Sequence, residues 1–305
     1  MDLSLERIES AAARIDPVFL NTPQFVDERL SAELGREVLV KVETLNPIGS
    51  FKGRGTWLLA EELDPAGTWV CATAGNFGQG LAYAARERGA TVHVFAPGDA
   101  PAAKLERMRA LGARVALADR PGPAADAHAA AAAERILITD GLDPAIAEGA
   151  GTIGVELGAA GPIDTAIVQI GDGALISGVA RWLKARRSRT RVVGVCASGA
   201  PAMARSFAAG RPVSVEGPGT IATSLAIIDP VPESVARVTA LVDDVVLVDD
   251  DDLRESARLL ADVLGLLVEP AAAAGVAALR RHGRELPGER VAVLVTGSET
   301  SQPSA

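Results

Sequence analysis

Thr165-Ala166-Ile167-Val168-Gln169-Ile170 runs directly into Gly171-Asp172-Gly173-Ala174-Leu175, and Ser177 to Arg187 then has helix-forming composition. A β-rich run, a glycine turn and a helix in that order form one crossover unit, which predicts a parallel sheet. The alternation recurs along the chain. β-rich runs stand at Val38 to Glu43, Thr68 to Thr73, Thr91 to Ala96, Arg114 to Leu117, Arg191 to Cys196 and Arg290 to Val295. Helical composition falls between them at Gly78 to Arg88, Ala102 to Leu111, Leu253 to Leu264 and Ala271 to Arg281, several with a Gly close behind as a stop signal. Six or seven such units suffice for an α/β protein of two doubly wound lobes, each a three-layer α/β/α sandwich on a mostly parallel sheet.

The 305 residues are 48% apolar and 23% charged, enough for a large core divided between two lobes. Aromatic residues make up 3%, so aliphatic side chains must fill that core. The net charge of −9 and the lack of a Lys/Arg cluster with interleaved aromatics argue against nucleic acid as a partner. No apolar run reaches membrane-spanning length, and the N-terminus does not read as a signal peptide. Cys71 and Cys196 stand alone in strand-like runs, which fits a reduced cytoplasm. His93, His128 and His282 lie in unlike contexts and suggest neither a histidine triad nor a metal site. Arg120 to Glu134 reads as a loop followed by an alanine-rich helix, Pro212 to Thr220 as a second loop, and Thr300 to Ala305 as a frayed tail.

Four segments carry chemistry. In Asn46-Pro47-Ile48-Gly49-Ser50-Phe51-Lys52-Gly53-Arg54-Gly55, a lysine stands among small residues and an aromatic. A lysine bonded to a flat ring needs its backbone close to that ring, and Gly49, Gly53 and Gly55 allow the approach. The same decapeptide also fits an ordinary loop lysine beside a helix capped at Ser50. Thr73-Ala74-Gly75-Asn76-Phe77-Gly78-Gln79-Gly80 follows a strand and opens a helix, where amides and an Asn side chain can grip a ligand, or where Asn76 is simply a cap. Gly171 to Leu175 offers successive N–H groups at a helix N-terminus, the makings of an anion nest for one phosphate. Its spacing fits neither a dinucleotide fingerprint nor a P-loop. Asp172 would be repelled by that phosphate, so its side chain is expected to point away. Leu294-Val295-Thr296-Gly297-Ser298-Glu299 ends a strand in hydroxyl residues, by itself also compatible with a plain strand end.

In order and approximate spacing these segments resemble the tryptophan synthase β-like superfamily, the fold type II pyridoxal-phosphate enzymes, and within it the serine/threonine dehydratases. The resemblance spans about Thr22 to Ser298. Ala100-Pro101 with Lys104, Asp143-Pro144 through Thr152, Thr220-Ile221-Ala222 and Val268-Glu269-Pro270 add to it. It implies that Lys52 holds pyridoxal 5'-phosphate as a Schiff base and moves protons at the substrate Cα. Phe51 would pack on the ring, Asn76 would meet the ring hydroxyl, and Gly171, Asp172, Gly173, Ala174 and Leu175 would give amides to the phosphate. Thr296, with Ser298 as the fallback, would face the ring nitrogen. A neutral hydroxyl there makes a weaker electron sink than a carboxylate and favours loss of a β-leaving group. Ser50, Thr73, Ala74, Gly75 and Asn76 would hold the substrate, with its carboxylate on the Thr73 to Asn76 loop. Racemases of this branch carry a serine where this chain has Ala74, which cannot donate a proton, so elimination is favoured over racemisation.

The cofactor is expected in the cleft between a large domain, residues 1–55 and 141–305, and a small mobile substrate-carboxylate domain, residues 56–140. The implied reaction is dehydration and deamination of a β-hydroxy amino acid (serine, threonine or a 3-substituted serine) to a 2-oxo acid and ammonia. Two alternatives are a β-replacement synthase of the cysteine synthase type and a catalytically idle amino-acid-binding relative. A cytoplasmic homodimer is implied, with no membrane or nucleic-acid partner. Two departures bear on the substrate: Thr139-Asp140-Gly141-Leu142 replaces a His-Pro-Phe-Asp-like stretch, and Thr223-Ser224 replaces an Asp-Gly pair. Both put threonine itself in doubt. Cys196 and Ala202 stand where metal-dependent relatives place acidic residues, so no metal site is expected there.

Overall fold

Ten strands form two sheets in the computed structural model, which describes residues 2–118 and 135–299. The larger sheet has the order β1-β2-β10-β7-β8-β9, from β1 (Gln24–Val26), β2 (Glu37–Val42), β7 (Thr165–Gln169), β8 (Arg191–Ala197), β9 (Asp244–Val248) and β10 (Arg290–Val295). Only the β1–β2 pairing in it is antiparallel. The smaller sheet, all parallel, has the order β5-β4-β3-β6, from β3 (Thr68–Ala72), β4 (Thr91–Pro97), β5 (Arg114–Ala118) and β6 (Ile136–Leu137). The seven strands expected from sequence are all present. Three more carry no clear sequence signal: β1 and β6 are too short to show a period, and β9 is an edge strand set among aspartates.

Period-two alternation assigns the two faces of the larger sheet. Val38, Val40, Val42, Val291, Val293 and Val295 pack with Leu30 of α2 (Glu28–Leu34), Leu253 and Leu260 of α10 (Asp250–Leu264), and Val276 of α11 (Ala274–His282). Leu39, Ala292 and Leu294 face the opposite way, into a core shared with α6 (Pro144–Ala159), α7 (Ala174–Arg186) and the smaller sheet. Helices on both faces explain why these strands are nearly continuous apolar runs. Among the described residues no helix is long and apolar enough to cross a membrane. The loop and helix read at Arg120 to Glu134 and the tail from Thr300 lie outside the described residues.

Two helices bring the smaller sheet's chemistry to the larger one. α3 (Lys52–Ala60) lies between α4 (Asn76–Arg88) and α6, and small residues permit the approach. A Cβ on Gly149 would stand 2.7 Å from Gly55 Cα, and one on Gly80 would stand 2.6 Å from Thr56 Oγ1. α3 is pinned by Arg54, whose fully buried guanidinium binds Glu43 (2.8 Å), Thr152 (2.9 Å) and Glu156 (2.6 Å). α6 starts sharply because Asp143 caps Ala145 N–H at 2.8 Å and Pro144 takes the first helical position.

Candidate active site

β10 ends at Val295, and the residues beyond it fold against the lysine segment. Phe51 N–H donates to Thr296 O (3.2 Å), Ser298 N–H donates to Gly49 O (2.9 Å), and Ser50 bridges Gly297. Gly49 has φ +64°, and a Cβ there would strike Ser298 Oγ, so this turn requires glycine. Gly53 and Gly55 act differently from the expectation. A methyl on Gly53 would enter the Phe19 ring, and one on Gly55 would meet the Ile146 carbonyl of α6, so these glycines seat α3 against its neighbours. Ser50 does not cap the helix. Phe51 is the N-cap, without a side-chain bond, and Ser50 Oγ is buried with no partner among the described residues.

Lys52 begins α3, and its Nζ sits 2.5 Å from Asp140 Oδ2 and 2.7 Å from Asp172 Oδ2. The Phe51 and Phe77 ring centroids lie 5.1 and 5.7 Å from it. Burial opposes charge on this amine, but the two carboxylates outweigh burial and hold its pKa above the ordinary lysine value. Burial, then the neighbouring charge of Asp172, pushes the Asp140 carboxyl up to about 7. Burial acts on Asp172 too, yet Lys52 and the Ala174 N–H keep it below the usual carboxylate range.

The Asp172 side chain therefore points into the site, not away from it. The expectation weighed only repulsion by an anion, whereas Lys52 and a helix N-terminus both attract a carboxylate here. Asp172 Oδ1 accepts from Ala174 N–H at 2.8 Å. α7 begins at Ala174, three residues earlier than the composition suggested, so Ala174 and Leu175 belong to its first turn. Amides of a first turn have no intrahelical acceptor. Gly173 has φ +97° and a Cβ there would meet Ser234 Oγ, while one on Gly171 would meet Ser224 O, so both positions require glycine.

The Thr73 to Asn76 loop opens α4, with Gly75 as the N-cap and Asn76 as the first helical residue. Thr73 Oγ1 accepts from Gly75 N–H at 3.2 Å, which shapes the loop around Ala74. Asn76 Nδ2 donates to Glu269 Oε1 (3.0 Å). The same carboxylate takes Lys104 Nζ (2.9 Å) and Ser224 Oγ (3.1 Å), so one buried residue ties together α4, α5 (Ala102–Ala110) and the larger lobe. Glu269 and Lys104 carry no visible role in the sequence, because nothing along the chain shows that they meet. Thr296 is buried, and its hydroxyl accepts from Gln169 Nε2 at 2.6 Å, which leaves its own hydrogen to donate. Ser298 is half-buried against Gly49.

These residues suit a phosphorylated pyridine aldehyde: an amine beside two aromatic rings, a turn of close-packed glycines leading into first-turn amides, and a buried hydroxyl donor. Lys52, Phe51, Asn76, Thr296 and residues 171–175 are the groups that would hold it.

Comparison with known proteins points the same way. A phenylserine dehydratase of Ralstonia pickettii is 37% identical, aligned over 97% of this chain and 93% of its own length. An L-threo-3-hydroxyaspartate ammonia-lyase of a Pseudomonas species is 33% identical over 96% of this chain and 94% of its own. The crystal structure of a threonine deaminase from T.th. superposes with a TM-score of 0.93 at 32% identity, covering 99% of this chain and 100% of that one. The family model described as pyridoxal-phosphate dependent enzyme matches residues 15–297, and the chain belongs to that family.

Proposed function

We propose that the protein eliminates water from a β-hydroxy amino acid and releases ammonia and a 2-oxo acid. The observation that carries this is the placement of the Lys52 amine where the lysine turn, the Asn76 helix, the glycine turn and the end of β10 converge. Relatives named as dehydratases and ammonia-lyases, similar over almost the whole chain, support it.

Bound pyridoxal phosphate supplies an aldehyde that forms an imine with an amine and a ring that draws electrons from Cα. Lys52 would hold this group through its amine and, when that amine is free, would take the Cα proton. Thr296, polarised by Gln169, would present a neutral hydroxyl donor to the ring nitrogen. The Thr73 to Asn76 loop would take the substrate carboxylate on its amides. Ala74 offers no acid on the opposite face of Cα, which disfavours racemisation. A cavity of about 220 Å³, lined by Lys104, Ile221, Thr223, Glu269 and Glu299 among others, lies on the far side of the Glu269 carboxylate that holds Asn76. Relatives named for 3-phenylserine and 3-hydroxyaspartate make a 3-substituted serine the substrate class we favour.

The test is incubation of holoprotein with L-serine, L-threonine, 3-hydroxyaspartate and 3-phenylserine, with oxo acid and ammonia as readouts. Formation of oxo acid from at least one is expected; none from any would overturn the reading. A cytoplasmic homodimer and movement of residues 56–140 against residues 1–55 and 141–305 belong to the same proposal. Light scattering tests the dimer, and hydrogen exchange tests the movement. The 55/56 boundary falls inside α3, so a hinge there would have to bend its first turn.

A further inference from the structure

Gln169 is the last residue of β7, 4% exposed, and none of the four segments that carry chemistry contains it. The parallel pairing of β7 with β10, Val293 beside Ile167, brings the ends of these strands together. There Gln169 Nε2 donates twice, to Leu294 O at 3.1 Å and to Thr296 Oγ1 at 2.6 Å. Its Oε1 is buried with no hydrogen-bond partner among the described residues. A buried carbonyl without a partner is unfavourable, so the two donated bonds have to outweigh it.

Leu294 decides which way the amide faces. A carbonyl can only accept, so turning the amide over would set Oε1 against Leu294 O and leave both N–H hydrogens without the acceptors they have now. With the amide fixed, Thr296 Oγ1 receives a hydrogen from Gln169, and that is the only bond its hydroxyl makes among the described residues. Its own hydrogen must therefore be given to something else. Thr296 is 4% exposed, and its backbone carbonyl takes the Phe51 N–H of the lysine segment at 3.2 Å, which ties the hydroxyl to the site. The charged group facing this strand end is Glu269, whose Oε1 lies 2.5 Å from where a Cβ on Gly297 would stand. Asn76, Ser224 and Lys104 already donate to that carboxylate.

A hydroxyl that has to donate suits a ligand atom with a free lone pair and opposes one that carries a hydrogen. A pyridine nitrogen is the first when unprotonated and the second when protonated. An unassisted threonine does not make this choice, because it can turn to donate or to accept. We propose that Gln169 is a positioning residue, which fixes the Thr296 hydroxyl as a donor and so keeps the ring nitrogen of the bound cofactor unprotonated. The inference rests on the reading above that Thr296 faces that nitrogen.

The experiment observes the nitrogen directly, by NMR of protein loaded with pyridoxal phosphate isotopically labelled at the ring nitrogen and titrated with acid. In wild type the resonance should lie in the free-base range, displaced by the hydrogen bond from Thr296, and Thr296→Val should remove that displacement. Gln169→Glu sets a carboxyl against Thr296. Ionised, it can only accept; protonated, it has one hydrogen, which goes to the Leu294 carbonyl. In both states Thr296 donates to it and offers the ring a lone pair, so the resonance should move to the pyridinium range. Gln169→Met removes the donor without adding charge, and should raise the pH at which the ring nitrogen takes its proton by about one unit, the scale of one hydrogen bond.

A pyridinium resonance in wild type, an unchanged resonance in Gln169→Glu, or an unchanged titration in Gln169→Met would each overturn the role of Gln169. So would a Gln169→Glu shift that persists when Thr296→Val is added, since charge and not the Thr296 hydroxyl would then cause it. If Gln169→Glu does not fold or load, the wild-type resonance and the Gln169→Met titration decide. A wild-type resonance that Thr296→Val leaves unmoved overturns the placement of Thr296 and this inference with it. Oxo acid formation by the same wild-type sample tests the elimination reading separately.

Discussion

Lys52 is an amine placed where the four motifs converge, and its side chain, not the glycines around it, makes the reach. Lys52→Ala is expected to abolish the cofactor's covalent absorbance band and to lower elimination by about 10⁴-fold or more, the scale of losing a residue that acts in a catalytic unit. Turnover and spectra of the purified variant check both. Thr296 was legible as a hydroxyl at a strand end, but its role depends on Gln169, which sits in a different strand of the same sheet. Asp172 shows the limit of reading one residue against one imagined neighbour. A carboxylate in a turn expected to bind phosphate looks misplaced until Lys52, distant in sequence, is found opposite it.

At the scale of elements, the seven expected strands and the helices between them follow from β-branched runs, glycine stops and caps, all local signals. Helix starts were harder. α7 and α10 each begin three residues before composition suggested, the latter because Asp249 and Asp252 form a reciprocal capping box. The crossing of α3 on α6 was not legible, since it depends on Gly55 facing Ile146 and on Arg54 facing Glu43 and Glu156. Gly55→Ala should cost about 1–3 kcal/mol by overpacking that crossing, measured as a lower urea midpoint. Arg54→Ala takes the guanidinium from Glu43 and Glu156 and should cost about 3–5 kcal/mol; a loss under half that would mean that the contacts they already make with Thr22 and Lys41 suffice.

At the scale of the whole molecule, charge buried in the cleft links stability to pH. In the cofactor-free protein Asp140 is raised from 3.8 to about 7, so its contribution is fully present below the unfolded value and is lost as pH rises through about 7. Asp172 and Glu156 run the other way. Their pKa values are depressed on folding, so their contributions are present above the unfolded values and are lost as pH falls. Asp140→Asn should therefore gain on wild type steadily from about pH 4 to about pH 7 and no further above that. Urea unfolding across that range reads it, and a flat difference would refute it. The Glu269 hub joins α4 and α5 to the larger lobe. Removal of its charge in Glu269→Gln should loosen Asn76 and Lys104 together, seen as faster amide exchange at the start of α4 and a raised KM.

The sequence by itself determined the alternation of strand and helix, the parallel sheets, the family and the four segments that carry chemistry, because each is written in residues close together along the chain. Only the tertiary structure decided what those segments do to one another. Contacts such as Asp140 with Lys52, Glu269 with Asn76 and Arg237 with the Gly141 turn join residues about 90 to 190 positions apart. No local pattern encodes such a contact, because the free energy that enforces it comes from burial and charge shared across the whole fold.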